Sequence, residues 1–292
     1  MDKKIKYVII TPVRNEEEYI EKTINSVISQ TIRPIEWIIV DDGSTDNTAM
    51  IIDEYANQYG WIKTIHRHDR GFRKAGGGVI EAFYDAFNNL QFKEWDFIVK
   101  LDGDLTFSDT YFEKCFENFK KNQKLGICGG GIYNIIDGRM IYERDPIFHV
   151  RGATKIYRAK CWDDIGGLLK APGWDTLDEV KANMNGWETR SYPELKISHH
   201  RSTGVADGTW GNWTKNGRAN YISGYHPLFM ILKCIKRIFQ KPYFIVSIAL
   251  MWGYVNGYII KIPQVDDKDL IAYLRKQQLN KLFFRQSIWK YK

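Results

Sequence analysis

Cysteine is scarce in this chain of 292 residues, and its four cysteines, at positions 115, 128, 161 and 234, lie too far apart for the paired spacing of a zinc site. A chain of this length does not need a disulfide framework either, so a reducing, cytosolic setting is expected. No secretory leader is expected either: MDKKIKYVII has only a few apolar residues before Thr11, Pro12 and Arg14, too short a stretch for a signal-peptide core. Negative charge is in deficit, with 35 Asp and Glu against 42 Lys and Arg, for a formal charge of +7. That balance favours an acidic partner, and nucleic acid, anionic lipid or a nucleotide substrate would each satisfy it. No nucleic-acid-binding signature accompanies the charge, so no nucleic acid partner is expected. The basic residues are scattered except toward 261 to 292, where their excess suggests a surface-binding tail.

What is present is enough for a full core: 44% of the residues are hydrophobic, which suits one large globular domain with an appendage. YVIIT at 7 to 11 reads as a buried strand, and 17 to 30 as a helix with Tyr19, Ile20, Ile24, Val27 and Ile28 inward. The strand WIIV follows, then a helix from about Thr48 to Tyr59 that Ser44, Thr45 and Asp46 are suited to cap, then a strand from Ile62 to Ile65. Such alternation predicts an α/β fold with a mostly parallel sheet covered on both faces and ligands beyond the C-terminal strand ends. Later segments add a helix around Val79 to Phe87, a strand in 95 to 105 and a helix from about Thr110 to Lys121. LGICGGGIYNI then reads as a strand with a bulge or close backbone approach. The stretch 141 to 167 is mixed apart from the strand-like KIYRA, and a helix from near Asp175 to Gly186 precedes a strand that delivers His199 and His200.

Two acidic clusters stand at predicted strand ends, WIIVDDGSTD at 37 to 46 and WDFIVKLDGDL at 95 to 105. Carboxylates carried out of a sheet into a Gly-containing turn need a cation or a hydroxyl partner. Asp102 and Asp104, two residues apart around Gly103, can face one divalent ion whose other ligands are diphosphate oxygens. The loop HRHDRGFRKAGGG at 66 to 78 adds Arg70, Arg73 and Lys74, which could neutralise phosphates or could be a solvated basic loop.

With TPVRNEEEYI, SVISQT, VDDGSTDNT and KLDGDL in this order and spacing, the chain resembles the family two glycosyltransferases over residues 5 to about 205. The resemblance implies the Rossmann-like GT-A fold and inverting transfer of a sugar from a nucleotide donor. It implies that Pro12, Arg14 and Glu16 line the nucleotide pocket and that Asp41 or Asp42 accepts a hydrogen bond from base or ribose. It further implies Mn or Mg held by Asp104, with Asp102 on the ribose or a metal-bound water, and a His, with His200 preferred to His199, reaching the metal or diphosphate. The family's base is commonly the second residue of a Glu-Asp pair; here the pair reads Trp174-Asp175, which leaves Asp175 as the base and Asp178 as its substitute. The donor expected from the resemblance is a UDP-sugar and the acceptor a hydroxyl in cell-surface polysaccharide or glycolipid assembly. A polyprenyl-phosphate sugar synthase and a non-catalytic sugar-nucleotide-binding protein are the competing readings.

Beyond Tyr225 the pattern changes, dividing the chain into a catalytic unit, 1–225, and a helical extension, 226–292. HPLFMILKCIKRIFQK reads as a basic amphipathic helix, and YFIVSIALMWGYVNGYII at 243 to 260 is about the minimum length for a bilayer span, weakened by Asn256 and two glycines. An interfacial hairpin ranks ahead of a buried scaffold or dimer element, and both rank ahead of a transmembrane helix. The expected location is cytoplasmic and peripheral at the inner face of the membrane. An anionic membrane surface and self-association join the sugar donor and a carbohydrate or lipid-linked acceptor as candidate partners. The region around Trp210, Trp213, Lys215 and Arg218 could close over the site, or the tryptophans could pack the next helix.

Overall fold

The computed structural model describes residues 4–69, 71, 77–136, 138–201, 208–239 and 241–290. A sheet is built first from β1 (Tyr7–Val13), β2 (Glu36–Asp41), β3 (Ile62–His66) and β4 (Phe97–Leu101), all parallel in the order β3-β2-β1-β4. Runs of Ile and Val fill these strands because both of their faces are covered. α1 (Ile20–Ile28) and α4 (Tyr111–Lys121) close one side over Tyr7, Ile9, Trp37 and Val99, while α3 (Gly77–Asn89) closes the other over Val8, Ile10, Ile38 and Ile98. Period-two alternation along each strand divides its residues between these two layers. α2 (Thr48–Gln58) returns the chain to β3, with Asp46 accepting from the Thr48 N–H at 3.0 Å at its start.

Past β4 the sheet becomes mixed. β5 (Leu105–Phe107) and β6 (Leu125–Ile136) lead to β7 (Arg139–Tyr142), which pairs antiparallel with β6. β8 (Thr154–Arg158), the KIYRA segment, then runs antiparallel to β4 and β6. The chain enters β8 beside the C-terminal end of β4, where Ala153 O accepts from the Asp102 N–H at 2.8 Å, so it can only run back against its neighbour. α5 (Ala159–Ile165) and α6 (Trp174–Met184) follow, the first within the stretch whose pattern is mixed in sequence. β9 (Glu188–His199) is parallel to β6, with a register shift between Gly130 and Gly131, the irregularity expected of the glycine run, and antiparallel to β5.

The C-terminal third is helical: α7 (Gly208–Ile222), α8 (Pro227–Arg237), α9 (Ile245–Ile259) and α10 (Lys268–Leu282). Tyr221 and Tyr225, Met230 and Cys234, Leu250 and Leu270 form a third core with Leu177 and Val180 of α6. α7, placed by sequence with the catalytic unit, packs directly on α9. The two backbones meet at facing glycines: a Cβ on Gly217 would lie 2.0 Å from Leu250 O, and one on Gly253 2.0 Å from Thr214 O. Asn256 accepts from Arg218 of α7 at 3.3 Å. The residues that weaken a bilayer reading in sequence therefore serve helix packing. Among the described residues no helix is long and apolar enough to cross a membrane. The 15 residues of α9 reach about 22 Å, against about 30 Å of hydrocarbon.

Candidate active site

The C-terminal ends of β1, β2 and β4 lie side by side at one edge of the sheet, as their parallel register requires. Pro12 is buried in β1, and the Asp42 N–H donates to Val13 O at 2.8 Å, bringing the acidic turn after β2 against it. Asp41 holds this turn in shape by accepting from the Ser44 N–H at 2.8 Å, and its other oxygen lies 3.3 Å from His66. Asp42 accepts from Arg67 at 2.6 Å. Arg14 donates to Asp42 O at 3.0 Å and pairs with Asp69, while Glu16 pairs with Arg201 at 3.0 Å. Asp41, Asp42, Arg14 and Glu16 thus belong to one charged rim. Arg70, Arg73 and Lys74 lie outside the described residues.

The second acidic cluster is built by close approach. A Cβ on Gly103 would lie 2.6 Å from Val13 Cγ1, so only glycine lets the turn after β4 sit against the end of β1. Asp102, on one side, is engaged by Lys100, which also donates to Gly152 O at 2.7 Å. Burial raises the Asp102 carboxyl, with Lys100 opposing and Asp104 adding to the shift. Asp104, on the other side, is 6% exposed, and its Oδ2 lies 3.2 Å from His199 Nε2. Its Oδ1 is buried without a hydrogen-bond partner. It is His199, not the preferred His200, that lies against Asp104: His200 turns to Thr106 at 2.9 Å and stacks on Tyr19. The β5–β9 register sets His199 opposite Leu105 and His200 on the face of Thr106, while Asp104, in the turn before β5, is released from strand alternation and reaches His199.

These residues suit a divalent cation. An orphaned buried carboxylate oxygen costs about 1–3 kcal/mol unless something fills its coordination, and oxygen donors with one imidazole match Mn or Mg. Among the described residues no three His, Cys, Asp or Glu side chains form a metal cage on their own, so the remaining ligands would come from phosphate and water.

Opposite this cluster stands the N-terminus of α6. Asp175 is half-buried, its Cβ close above Gly152, the residue that Lys100 also bonds. Burial alone would raise its carboxyl, but the charges of His149, Lys155 and Arg151 overturn that and hold it below the usual carboxylate range. Asp178 occupies a different environment. It is fully buried, bonded by Lys155 at 2.8 and 3.0 Å and by the Tyr157 hydroxyl, and burial pushes its carboxyl up to about 7. Glu179 completes the cluster, 2.8 Å from both Lys155 and His149. Asp178 therefore anchors the helix from below, while Asp175 stays half-buried beside Gly152.

Lys155, His149, Lys100 and Arg151 are absent from the sequence candidates. One signal was available: the lysine that opens KIYRA is a charge inside a buried strand, which requires a buried counter-charge. Lys155 stands directly opposite Lys100 across the β4–β8 pair, and both lie 5.6 Å from the Trp174 ring. Trp213 packs against the third core under Arg237, at 5.5 Å, whereas Trp210 is exposed.

A parallel β3-β2-β1-β4 core extended by a mixed sheet, with its acidic turns gathered at one edge, is the architecture of a GT-A glycosyltransferase. Residues 8–169 match the model of Glycosyl transferase family 2, and the chain belongs to that family. It is 33% identical over 147 residues to the uncharacterized glycosyltransferase EpsJ of Bacillus subtilis, a match covering 50% of this chain and 40% of that protein. It is also 33% identical over 117 residues to the poly-beta-1,6-N-acetyl-D-glucosamine synthase of Staphylococcus epidermidis, covering 40% of this chain and 26% of the relative. The matches thus span less than half the length of these relatives. In fold, the mannosyltransferase PcManGT from Pyrobaculum calidifontis, solved with GDP-Man and Mn2+, superposes with a TM-score of 0.56 over 96% of this chain and 76% of its own, at 13% identity. S. aureus TarS residues 1–349 with UDP-GlcNAc superposes at 0.53 over 94% of this chain and 81% of its own, at 16% identity.

Proposed function

We propose that the protein is a metal-dependent, inverting glycosyltransferase that moves a sugar from a nucleotide-diphosphate donor, a UDP-sugar, to a hydroxyl of a growing polysaccharide or glycolipid. The observation that carries this reading is the buried, unpartnered oxygen of Asp104 beside His199, across from the ionised Asp175. Asp104 and His199 would hold a divalent cation, with Asp102 on the ribose or a metal-bound water, and such an ion, when bound, would offset charge developing on the departing nucleoside diphosphate. The rim of Arg14, Asp41, Asp42 and Arg67 would receive the nucleoside. Asp175 would accept the proton of the attacking hydroxyl, which its ionised state at neutral pH permits. The buried Lys155–Asp178–Glu179 cluster beneath it would fix where that carboxylate stands. The catalytic unit of this reading is the α/β layer, with the C-terminal helices as its extension. The neighbours' nucleotide-sugar ligands, UDP-GlcNAc and GDP-Man, are consistent with such a donor.

A thermal-shift titration of nucleotide sugars with and without Mn tests this reading. Stabilisation by a UDP-sugar only in the presence of Mn is expected. The absence of stabilisation by any nucleotide diphosphate with metal would sink the reading. Asp175→Asn distinguishes a hydroxyl acceptor from a lipid phosphate, because a phosphate acceptor needs no strong base and would leave turnover nearly unchanged.

A further inference from the structure

α8 is amphipathic in sequence, yet in the structure its inner side takes two of its cations beside Met230 and Cys234 and leaves an apolar stripe outside. Lys233 is drawn inward over the Tyr225 ring at 5.0 Å, and Arg237 over Trp213 at 5.5 Å. Leu228, Ile231, Leu232 and Ile235 face outward, each 39–50% exposed. α9 repeats the pattern. One stripe, with Ala249, Gly253 and Gly257, is buried against its neighbours, while Ile248, Trp252, Val255 and Ile259 form a second stripe at helical spacing that nothing covers among the described residues. Between the two helices Phe239, Tyr243 and Phe244 are also exposed, Phe239 at 80%. Monomeric proteins seldom expose an apolar face of this extent without a partner.

The charge around this face identifies the partner. From Gly208 to Val265 the chain contains no Asp or Glu, while Lys236, Lys241 and Lys261 are exposed beside the apolar stripes. Two copies of such a face would bring like charges together, which disfavours a homodimer. Apolar stripes flanked by lysines and exposed Trp, Tyr and Phe rings match the composition of surfaces that lie in the headgroup layer of a bilayer. We propose that the outer face of α8 and α9 docks on an anionic lipid surface, lying in the interface without crossing it. Arg237, in the last turn of α8, lies within electrostatic range of Asp145, and Asp145 lies 3.8 Å from Arg151, whose charge acts on Asp175. Docking would bring this end of the molecule to the membrane. This deepens the transferase reading by naming where a lipid-linked acceptor would be met, and it is tested by binding alone, so either can fail without the other.

The test is co-sedimentation of the full chain with vesicles of phosphatidylcholine alone and of phosphatidylcholine mixed with phosphatidylglycerol. Partition onto the anionic vesicles should exceed that onto neutral ones by about 10-fold or more and should fall with added salt. Ile248→Glu and Trp252→Glu, both at exposed positions, should each lower partition by about 10-fold while melting temperature and Mn-dependent nucleotide stabilisation stay unchanged. Lys236→Glu with Lys261→Glu should remove the preference for anionic lipid. Equal binding by the wild type and by the Ile248→Glu and Trp252→Glu variants would overturn the proposal, as would no binding to anionic vesicles. Concentration-dependent dimerisation that these substitutions abolish would assign the face to a second copy and overturn it too.

Discussion

The sheet-forming two thirds of the molecule and the C-terminal helices solve burial in opposite ways. In the sheet, apolar runs disappear between two layers of helices, and what gathers at the strand ends is buried and half-buried charge: Asp41, Asp42, Asp102 and Asp104 with their basic partners. In α8, Lys233 and Arg237 fold inward over aromatic rings, and in α8 and α9 alike an apolar stripe remains outside. The first region concentrates chemistry at one edge, and the second presents a face for something larger to cover. The match to Glycosyl transferase family 2 ends at residue 169, so α6 and β9 of the first region lie beyond it along with α7 to α10.

If this division is sound, substitutions in the two regions should separate activity from placement. The largest effect is expected for Asp104→Ala, which should lower turnover by about 10³-fold and abolish Mn-dependent stabilisation by nucleotide, with little change in the metal-free melting temperature. Donor hydrolysis surviving that change would break the assignment of chemistry to this strand end. Asp175→Asn should lower kcat by about 10²-fold while leaving the KM for the donor in place, as steady-state kinetics with a hydroxyl acceptor would show. Gly253→Val addresses the other region. Its Cβ would fall on the Thr214 carbonyl, so a loss of about 3 kcal/mol in denaturant unfolding is expected. Nucleotide-induced stabilisation should persist in that variant; its disappearance would show that the two regions are not separable.

The smallest effect concerns the seam between the regions. His149 is raised above its ordinary pKa: burial alone would lower it, but the Glu179 charge and hydrogen bond prevail. Because the folded value lies above the unfolded one, this pairing contributes fully below about pH 6.5 and is lost as pH rises through the folded pKa. The melting-temperature difference between wild type and His149→Asn should therefore shrink on the alkaline side. A difference independent of pH would mean that the His149–Glu179 contact holds through packing alone.

Much of the first region was legible in the chain because local signals and global fold agree there. β-branched runs of strand length ended in Asp-Gly turns, and the helices between them showed clear apolar periodicity. The choice between His199 and His200 was not legible, because strand phase depends on which residue of β5 faces which residue of β9. Nor was the Lys155–Asp178–Glu179 cluster, whose members meet only when β8 lies under α6. In the C-terminal helices the apolar and basic pattern was plain, but its sidedness could not be read, since the rings that draw Lys233 and Arg237 inward come from Tyr225 and α7.

The order of strands and helices, the GT-A class and the two acidic strand ends were written in the chain itself, because each rests on residues that are neighbours along it. Folding in three dimensions was needed to decide that Asp104 keeps an unpartnered oxygen beside His199, that Asp175 is held ionised by cations from other segments, and that α8 and α9 turn their apolar stripes outward. Each of these depends on groups brought together from distant parts of the chain, where burial and charge act through space and not along the sequence.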